Sequence, residues 1–362
     1  MKMIHCADLH LDSKLNANLD RDKATLRRQE LLDTFSNMVD YAADNGVDVI
    51  LIAGDMFDKT HIRKQARSRV IDEISTHPDI DFLYLQGNHD RTDFLQDVDL
   101  TDLPNLKLFS DAEWRGYRYD DVVVTGREIT ADNAKTFTMN LVLDQADVNI
   151  VMLHGQESDY MGNDKTQIVP LYELRGKYID YLALGHIHSY KRAKLDDRGE
   201  YCYCGCLEGR GFDECGEKGF VLLTVEDKKV ESEFIPFAKR SLHEAVIEIT
   251  PEETMPQILD ALEEAVSHIP GDDMVKAVLT GVVNMDGEPD RDRIRSRFAE
   301  RFFFFKVYDQ TRINIDYDSF VGDRSLKGEF ARIMRDVDLP EDKKARIVEI
   351  GMKALMEEEI EG

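Results

Sequence analysis

The segment Met3-Ile4-His5-Cys6-Ala7-Asp8-Leu9-His10 is a largely apolar run that ends in an aspartate and a histidine two residues apart. Side chains at positions i and i+2 of an extended chain lie on the same side, so Asp8 and His10 can serve one site. Open α/β sheets bind their ligands beyond the carboxyl ends of their strands. The segment therefore predicts a strand of such a sheet with two metal ligands at its carboxyl end.

Four further motifs have the same design and are, in chain order, Gly54-Asp55, Gly87-Asn88-His89-Asp90, His154-Gly155 and Gly185-His186-Ile187-His188. Most of them come directly after an apolar run, such as residues 49–52 and 181–184. The glycine before Asp55 lets the backbone turn sharply, and a carboxylate at that point can bridge two cations. Mixed nitrogen and oxygen ligands favour Mn, Fe or Zn over Mg or Ca. We therefore predict a hydrolytic enzyme with a dinuclear site, and we expect the ligands to be Asp8, His10, Asp55, Asn88, His154, His186 and His188.

The first half of the chain alternates predicted strands and helices. Residues 3–7, 47–52 and 82–85 indicate strands, whereas residues 25–44 and 62–75 indicate amphipathic helices. This βαβαβ order predicts parallel neighbouring strands. Further strands are expected at residues 122–126, 148–154, 178–184, 201–205, 219–225 and 230–236. We predict an α/β domain of residues 1–238, a four-layer sandwich of two β-sheets flanked by helices.

Two smaller segments follow this domain. Residues 239–320 are expected to form a small α+β capping domain, with strands at 243–249, 275–283, 302–307 and 313–317, a helix that starts at 251–253 and a second helix at 290–301. Residues 321–362 are expected to form C-terminal helices that are broken at Leu339-Pro340. Apolar side chains form one stripe on each helix, namely Phe330, Ile333 and Met334, and then Ile347, Ile350 and Leu355. Such stripes usually pack onto their own domain, and docking of a partner helix is the alternative.

The composition is that of an ordinary soluble protein, with 42% hydrophobic and 33% charged residues among 362. No apolar stretch approaches the roughly 20 residues of a membrane span. The first motif leaves no room for a signal peptide, so we expect a cytoplasmic protein. The net charge of −26 opposes general attraction to DNA. Two bound divalent cations would nevertheless add positive charge at the point where a phosphate must lie.

Two other features leave alternatives open. The basic residues Arg63, Lys64, Arg67, Lys191 and Arg192 follow two of the motifs and are either phosphate contacts or parts of a solvated helix face and a polar hairpin. Three of the five cysteines, Cys202, Cys204 and Cys206, alternate along a predicted strand. A metal or redox role for them with Cys215 is conceivable. Reduced thiols that fill strand positions are the favoured interpretation, because the zinc-type C-x-x-C pair is missing.

The five motifs resemble those of the calcineurin-like metallophosphoesterase superfamily. Within it, three stretches are similar to the SbcD-type DNA exonucleases, the nuclease subunits of the SbcC–SbcD complex that repairs double-strand breaks. These stretches are residues 3–12, Gly54-Asp55-Met56-Phe57-Asp58, and residues 209–219. The second domain and the closing helices also resemble that family, so the similarity covers nearly the whole chain.

The resemblance implies roles for individual residues. One metal ion would be held by Asp8, His10, Asp55 and His188, and the other by Asp55, Asn88, His154 and His186; both ions are expected to be Mn²⁺. His89 would face the scissile phosphate, where it stabilises charge or protonates the leaving oxygen; a hydrogen bond to Asp8 or Asp55 is its alternative role. Asp58 and Asp90 would support the site, although some relatives carry a histidine at the position of Asp58.

Two functions are carried forward. The first is a Mn²⁺-dependent DNA exonuclease or endonuclease in DNA repair, which works as a homodimer with an SMC-like ATPase of the SbcC type; the second domain would select DNA and the closing helices would dock the ATPase. The alternative is a small-molecule phosphodiesterase or nucleotidase of the same superfamily. A protein phosphatase is less favoured because Phe57-Asp58-Lys59 stands where that class carries an arginine. An inactive scaffold is disfavoured because every expected ligand is present.

Overall fold

The computed structural model describes residues 1–13, 15, 19–58, 62–90, 92–95, 97–158, 167–284, 288–314 and 323–355. The chain divides into two units, Met1–Leu242 and His243–Gly362. The sequence had suggested a boundary after residue 238, and the helices expected within residues 321–362 lie in the second unit. Among the helices of the described residues, none combines the length and the apolar composition that crossing a membrane requires.

The first unit contains fourteen strands and three α-helices within its described residues. The strands are β1 (Lys2–Cys6), β2 (Val49–Ala53), β3 (Asp81–Leu85), β4 (Leu106–Leu108), β5 (Arg115–Tyr119), β6 (Val122–Gly126), β7 (Val148–His154), β8 (Gln156–Glu157), β9 (Ile168–Val169), β10 (Tyr181–Gly185), β11 (Lys191–Lys194), β12 (Glu200–Tyr203), β13 (Gly219–Glu226) and β14 (Lys229–Pro236). The helices are α1 (Arg21–Asp44), α2 (Lys64–Thr76) and α3 (Leu171–Leu174), with short 3-10 helices at Thr92–Leu95 and Leu100–Asp102.

Two six-stranded sheets organise this unit, in the orders β14-β13-β1-β2-β3-β4 and β11-β12-β10-β7-β6-β5. Strands β1 to β4 are parallel, which confirms the prediction from the βαβαβ order. Strands β6, β7, β10 and β12 are likewise parallel in the second sheet. The five motifs therefore lie at or directly beyond the carboxyl ends of parallel strands, namely β1, β2, β3, β7 and β10.

Alternate side chains of each strand point to opposite faces of its sheet. One face of each sheet packs against the other sheet, so the two sheets lie face to face. Met3 and Leu51 of the first sheet share one buried cluster with Val124 and Ile150 of the second. Ile4 and its neighbours on the opposite face pack under α1 and α2 instead. The outer face of the second sheet is covered by α3 and by the successive turns of residues 131–140. The predicted α/β sandwich of two sheets is confirmed.

The second unit has a sheet with the strand order β15-β16-β17, and a further strand, β18, pairs with β16. Its elements are β15 (Leu242–Ile249), α4 (Met255–Ala265), β16 (Met274–Asn284), α5 (Arg291–Phe298), β17 (Phe304–Asp309), β18 (Arg312–Asn314), α6 (Leu326–Arg335) and α7 (Glu341–Leu355). The predicted helix start at 251–253 is wrong, because Thr254 and Gln257 form the capping box that begins α4. The predicted strand at 313–317 is described only to Asn314.

The two closing helices pack against each other through Ala331, Met334, Val348 and Met352. The predicted stripes are therefore only partly correct, because the three isoleucines of those stripes face outwards. Ile333 is 56% exposed, Ile347 42% and Ile350 37%.

Candidate metal centre

The first two motif loops run side by side and hold each other through their backbones. The amide of Asp8 donates to the carbonyl of Gly54 at 3.0 Å, and the amide of His10 donates to the carbonyl of Asp55 at 2.9 Å. Asp8, His10 and Asp55 all adopt positive φ angles, of 51°, 44° and 54°. Such left-handed conformations cost of order 1–3 kcal/mol each, and they cluster at functional sites. The hydrogen bonds between the two loops hold these residues in a backbone conformation that an isolated chain would avoid.

Two glycines make room for the site. A Cβ atom on Gly54, whose φ is +93°, would lie 2.1 Å from Nδ1 of His154. A Cβ atom on Gly87 would lie 2.2 Å from Oδ1 of Asp55. Both distances are far below a van der Waals contact, so each motif glycine permits the close approach of a side chain from another motif.

Five of the seven predicted ligands converge in two groups that share Asp8. Ligand atoms of Asp8, His10 and His188 lie within 4.8 Å of one another, as do those of Asp8, Asp55 and His154. In the first group, Nε2 of His10 is 3.3 Å from Nε2 of His188. In the second, Nε2 of His154 is 3.4 Å from Oδ2 of Asp55. Asp8 and Asp55 are buried between the histidines.

Asn88 extends the second group towards His186, the seventh predicted ligand. Its Oδ1 lies 3.1 Å from Nε2 of His154 and 3.2 Å from Nδ1 of His186. The backbone amide of His186 in turn donates to both carboxylate oxygens of Asp8, at 3.0 and 2.9 Å. All seven predicted ligands are therefore neighbours, although they come from five distant stretches of the chain.

The donor set fits divalent cations. Nδ1 of His154 is 2.9 Å from the carbonyl oxygen of Ala53, which only an N–H can satisfy. When this ring is neutral, its Nε2 therefore carries a lone pair, and this lone pair faces the acceptor oxygens of Asp55 and Asn88. Acceptors that converge in this way need a positive charge between them. Imidazole nitrogens mixed with carboxylate oxygens are typical ligands of Mn, Fe or Zn.

Burial and neighbouring charges shift the pKa values of the cluster in opposite directions. Burial raises the pKa of Asp8 to about 6, although His154 and His188 oppose the shift. Burial also disfavours the charge of Asp55, but His154 and His10 hold the pKa of that carboxyl well below its usual range. Burial, followed by the charge of Arg210, lowers the pKa of His10 to about 3. His154 shows the opposite shift, because Asp55 outweighs burial and raises its pKa to about 9.

His89 lies at the edge of the cluster. Its backbone amide donates to Oδ1 of Asp55 at 2.8 Å. The hydrogen bond to Asp55 that was the alternative role of His89 is therefore made by its backbone. Its ring lies 5.3 Å from the ring of His10, centroid to centroid, and its Nδ1 is 3.3 Å from Oδ1 of Asp58. The His89 side chain is 31% exposed, so its imidazole is accessible from solvent.

Asp90 lies behind the cluster. It accepts hydrogen bonds from the amides of Phe57 and Gly87, at 3.0 and 2.9 Å, and so ties the second motif loop to the third.

Four of the five basic residues that follow the motifs contact oxygen atoms of the protein itself. Arg63 pairs with Asp12 at 2.8 Å, Lys191 pairs with Glu157, and Arg192 pairs with Glu200 at 2.8 Å. The Nε of Arg67 donates to the carbonyl of Phe94 at 2.9 Å, and Lys64 is exposed at the start of α2. Three of the five cations are therefore already balanced by local carboxylates.

The cysteines are free thiols, and four of the five are buried. Burial raises the pKa of Cys202 to about 12, and it also raises the pKa of Cys204 and Cys206. Thiols with raised pKa values are poor nucleophiles and poor metal ligands. This environment supports the interpretation that reduced thiols fill strand positions.

Sequence reasoning missed two residues beside the cluster. Glu214 lies 2.7 Å from Nδ1 of His188, and Arg210 donates to Glu214 at 2.7 Å. Residues 209–219 support the family resemblance, but an arginine and a glutamate four positions apart have no distinctive pattern of their own. A third group of potential ligands, Asp40, Glu73 and His77, lies apart on the partly exposed surface of α1 and α2.

The family model for calcineurin-like phosphoesterases matches residues 1–190, which is more than half of the chain. The chain belongs to this family. It is accordingly a metallophosphoesterase, a phosphoester hydrolase with a dinuclear metal site. The metallophosphoesterase YhaO of Bacillus subtilis strain 168, described as uncharacterized, is 26% identical over 286 residues, which cover 74% of this chain and 68% of YhaO.

Three solved structures are also similar. The protein TT1561 of Thermus thermophilus has a TM-score of 0.42 at 13% identity and covers 64% of this chain and 98% of its own. A novel archaeal phosphodiesterase has a TM-score of 0.38 at 12% identity and covers 65% and 100%. A dimetal phosphatase from Danio rerio has a TM-score of 0.40 at 11% identity and covers 64% and 98%.

Proposed function

We propose that the protein is a Mn²⁺-dependent nuclease that hydrolyses phosphodiester bonds of DNA. The observation that carries the proposal is the convergence of two ligand groups on Asp8 beside the accessible imidazole of His89. Mn²⁺ is favoured because four histidines contribute nitrogen ligands, whereas Mg²⁺ and Ca²⁺ prefer oxygen.

The residues have distinct roles in this proposal. Asp8, His10, Asp55 and His188 would hold one ion, and Asp55, Asn88, His154 and His186 would hold the other. Two bound ions would supply an activated water and would neutralise charge on the phosphate. The protein's own contribution is to orient the phosphodiester between the two ion sites.

His89 is the proposed catalytic acid. The imidazole of His89, whose Nδ1 lies 3.3 Å from Oδ1 of Asp58, lowers the pKa of that carboxyl, so Asp58 stays anionic beside the ring. A positioned imidazole can protonate the leaving sugar oxygen, and general acid catalysis of this kind contributes about 10²–10⁴-fold. His89→Ala should therefore lower turnover by a factor in that range while both metal ions remain bound.

DNA is proposed as the substrate on the strength of the sequence resemblance and the additional second unit. Residues 3–12, 54–58 and 209–219 are similar to the SbcD-type exonucleases, and the second unit lies outside the family match of residues 1–190. Within the proposal, this unit contributes to the selection of DNA.

One observation favours the alternative function, a small-molecule phosphodiesterase or nucleotidase. The net charge is −26, and Arg63, Lys191 and Arg192 are each paired with a carboxylate. The chain by itself therefore offers little basic surface to a long polyanion.

A partner resolves this difficulty within the proposal. We propose that an SMC-like ATPase of the SbcC type supplies much of the DNA affinity and docks on α6 and α7, where Ile333, Ile347 and Ile350 are exposed. Homodimerisation is proposed as well. Light scattering at micromolar concentration should give twice the mass of one chain, and a mass of one chain would contradict the dimer.

The test compares substrates on one preparation. The Mn²⁺-loaded protein should degrade end-labelled linear duplex DNA and cleave bis(4-nitrophenyl) phosphate. His89→Ala should lower both activities by about 10²–10⁴-fold. His77→Ala, which removes a histidine of the third group on the surface, should change neither. Hydrolysis of nucleotides or of 4-nitrophenyl phosphate without any action on DNA would establish the alternative instead.

A further inference from the structure

The carboxylate of Glu214 is buried and receives donors on both oxygens. Oε1 lies 2.7 Å from Nδ1 of His188 and accepts from Nη2 of Arg210 at 2.7 Å. Oε2 accepts from the backbone amide of Arg210 at 2.7 Å, and the thiol of Cys206 lies 3.8 Å away. These donors fix the orientation of the carboxylate, so that its Oε1 faces Nδ1 of His188.

The charge of Glu214 is maintained by its neighbours. The guanidinium of Arg210 pairs with both of its oxygens, because Nη2 lies 2.7 Å from Oε1 and Nε lies 3.4 Å from Oε2. Arg210 is itself largely buried, with 17% of its side chain exposed, so solvent screens the ion pair only weakly. Hydrogen bonds to ionised groups are roughly twice as strong as neutral ones.

The backbone of His188 is held by the same stretch of chain. The buried ammonium of Lys218 donates to the carbonyl of His188 at 2.8 Å, and the amide of Cys206 donates to it at 3.3 Å. The 206–218 segment therefore fixes both the main chain and the ring of this one histidine.

Two other histidines of the cluster, His154 and His10, are supported differently. Nδ1 of His154 faces a neutral carbonyl, that of Ala53, at 2.9 Å. Nδ1 of His10 is buried and makes no hydrogen bond within the described part of the chain. His188 thus has a carboxylate behind a ring whose Nε2 lies only 3.3 Å from His10 and 3.9 Å from Asp8.

We propose that Glu214, held by Arg210, is the positioning residue that directs Nε2 of His188 into the Asp8–His10 group and strengthens cation binding there. The inference rests on the proposed two-ion function. It adds that the two ions depend on the 206–218 segment unequally. The ion of the Asp8–His10–His188 group needs Glu214, whereas the ion of the Asp55–Asn88–His154–His186 group does not.

The test measures metal binding, not turnover. Metal-free protein is titrated with Mn²⁺ in a calorimeter, and Co²⁺ is added separately so that its visible absorption reports the ligand geometry. Glu214→Gln keeps the shape of the side chain and removes its charge. We expect the affinity for one ion to fall about 10–100-fold, as for other partners of ligating histidines, with the second ion unchanged and the Co²⁺ spectrum altered.

The matched control is Asp213→Asn, which removes an exposed carboxylate from the adjacent position and should leave both affinities unchanged. Thermal unfolding of the metal-free variants checks that they fold. The double variant Arg210→Met with Glu214→Gln removes both buried charges and should keep the one-ion defect.

Wild-type affinity for both ions in Glu214→Gln, or recovery of that affinity in the double variant, would overturn the inference. A wild-type protein that binds fewer than two ions would overturn the proposed function instead, so the two failures are distinguishable.

Discussion

Replacement of the buried guanidinium of Arg27 by methionine should destabilise the first unit by about 3 kcal/mol or more. Arg27 is 1% exposed. It donates to Oε2 of Glu30 at 2.7 Å, and to Oε2 of Glu208 and the carbonyl of Gly209, both at 2.9 Å. These bonds join α1 to Glu208 and Gly209, which lie within the 206–218 segment.

The size of the effect follows from what each partner retains. Glu30 keeps the guanidinium of Arg240, which donates to its Oε1 at 2.7 Å. Glu208 keeps only neutral donors among its described contacts, such as the hydroxyl of Thr34 at 2.7 Å, and so becomes a buried carboxylate without a cation. Breaking a buried ion pair costs about 3–5 kcal/mol, and the remaining donors to Glu208 favour the lower end.

Thermal unfolding of the metal-free protein measures the loss. At roughly 2–4 °C per kcal/mol for a unit of this size, we expect the melting temperature of the first unit to fall by about 6–12 °C. Arg28→Met is the control, because this guanidinium lies on the same helix and contacts Thr25 at the surface. Its effect should stay within about 0.5 kcal/mol. Equal melting temperatures for the two variants would refute the reasoning.

Two further outcomes are expected. Gly54→Ala should weaken binding of the ion beside His154, because the new Cβ would lie 2.1 Å from Nδ1 of that ring. Gly46 also has a positive φ but has open space around it, so Gly46→Ala is the control and should leave metal binding intact. Calorimetry with Mn²⁺ that finds no difference between the two variants would contradict the packing argument. His5 is buried, and burial lowers its pKa to about 3, so the folded protein keeps this ring neutral while the unfolded chain binds a proton below about pH 6.5. Stability should therefore fall as the pH is lowered from about 6.5 towards 3, with up to about 1.4 kcal/mol per pH unit from this group. His5→Gln should reduce that slope in urea unfolding at pH 7 and 5, and an identical slope would exclude His5 as a cause.

The sequence predicted the parts of the fold that depend on short-range pattern. The strands at 122–126 and 148–154 agree with β6 and β7 to the residue, because apolar runs between turn residues mark buried strands. The edge strands β4 and β5 were missed. Their segments Leu106–Leu108 and Arg115–Tyr119 are short or mostly polar, and pairing with a neighbour, not local pattern, makes them strands.

The candidate site divides in the same way. Each of the seven predicted ligands lies in a short motif that can be recognised in the sequence, and the structure brings all seven together. The support for His188 could not be found, because Arg210 and Glu214 meet it only through the long-range fold. The ion pairs of the basic residues could not be found from local pattern either, because the carboxylate partners of Arg63 and Lys191 are 51 and 34 positions away in sequence.

The count of tightly bound metal ions tests the central claim most directly. The His77→Ala protein, from which the third surface group has been removed, should be saturated with Mn²⁺, freed of excess by gel filtration and analysed for metal per chain. We expect two ions per chain, and fewer when Asp55 is replaced by asparagine. Fewer than two ions in the His77→Ala protein, or an unchanged count in the Asp55→Asn variant, would contradict a dinuclear centre at these residues.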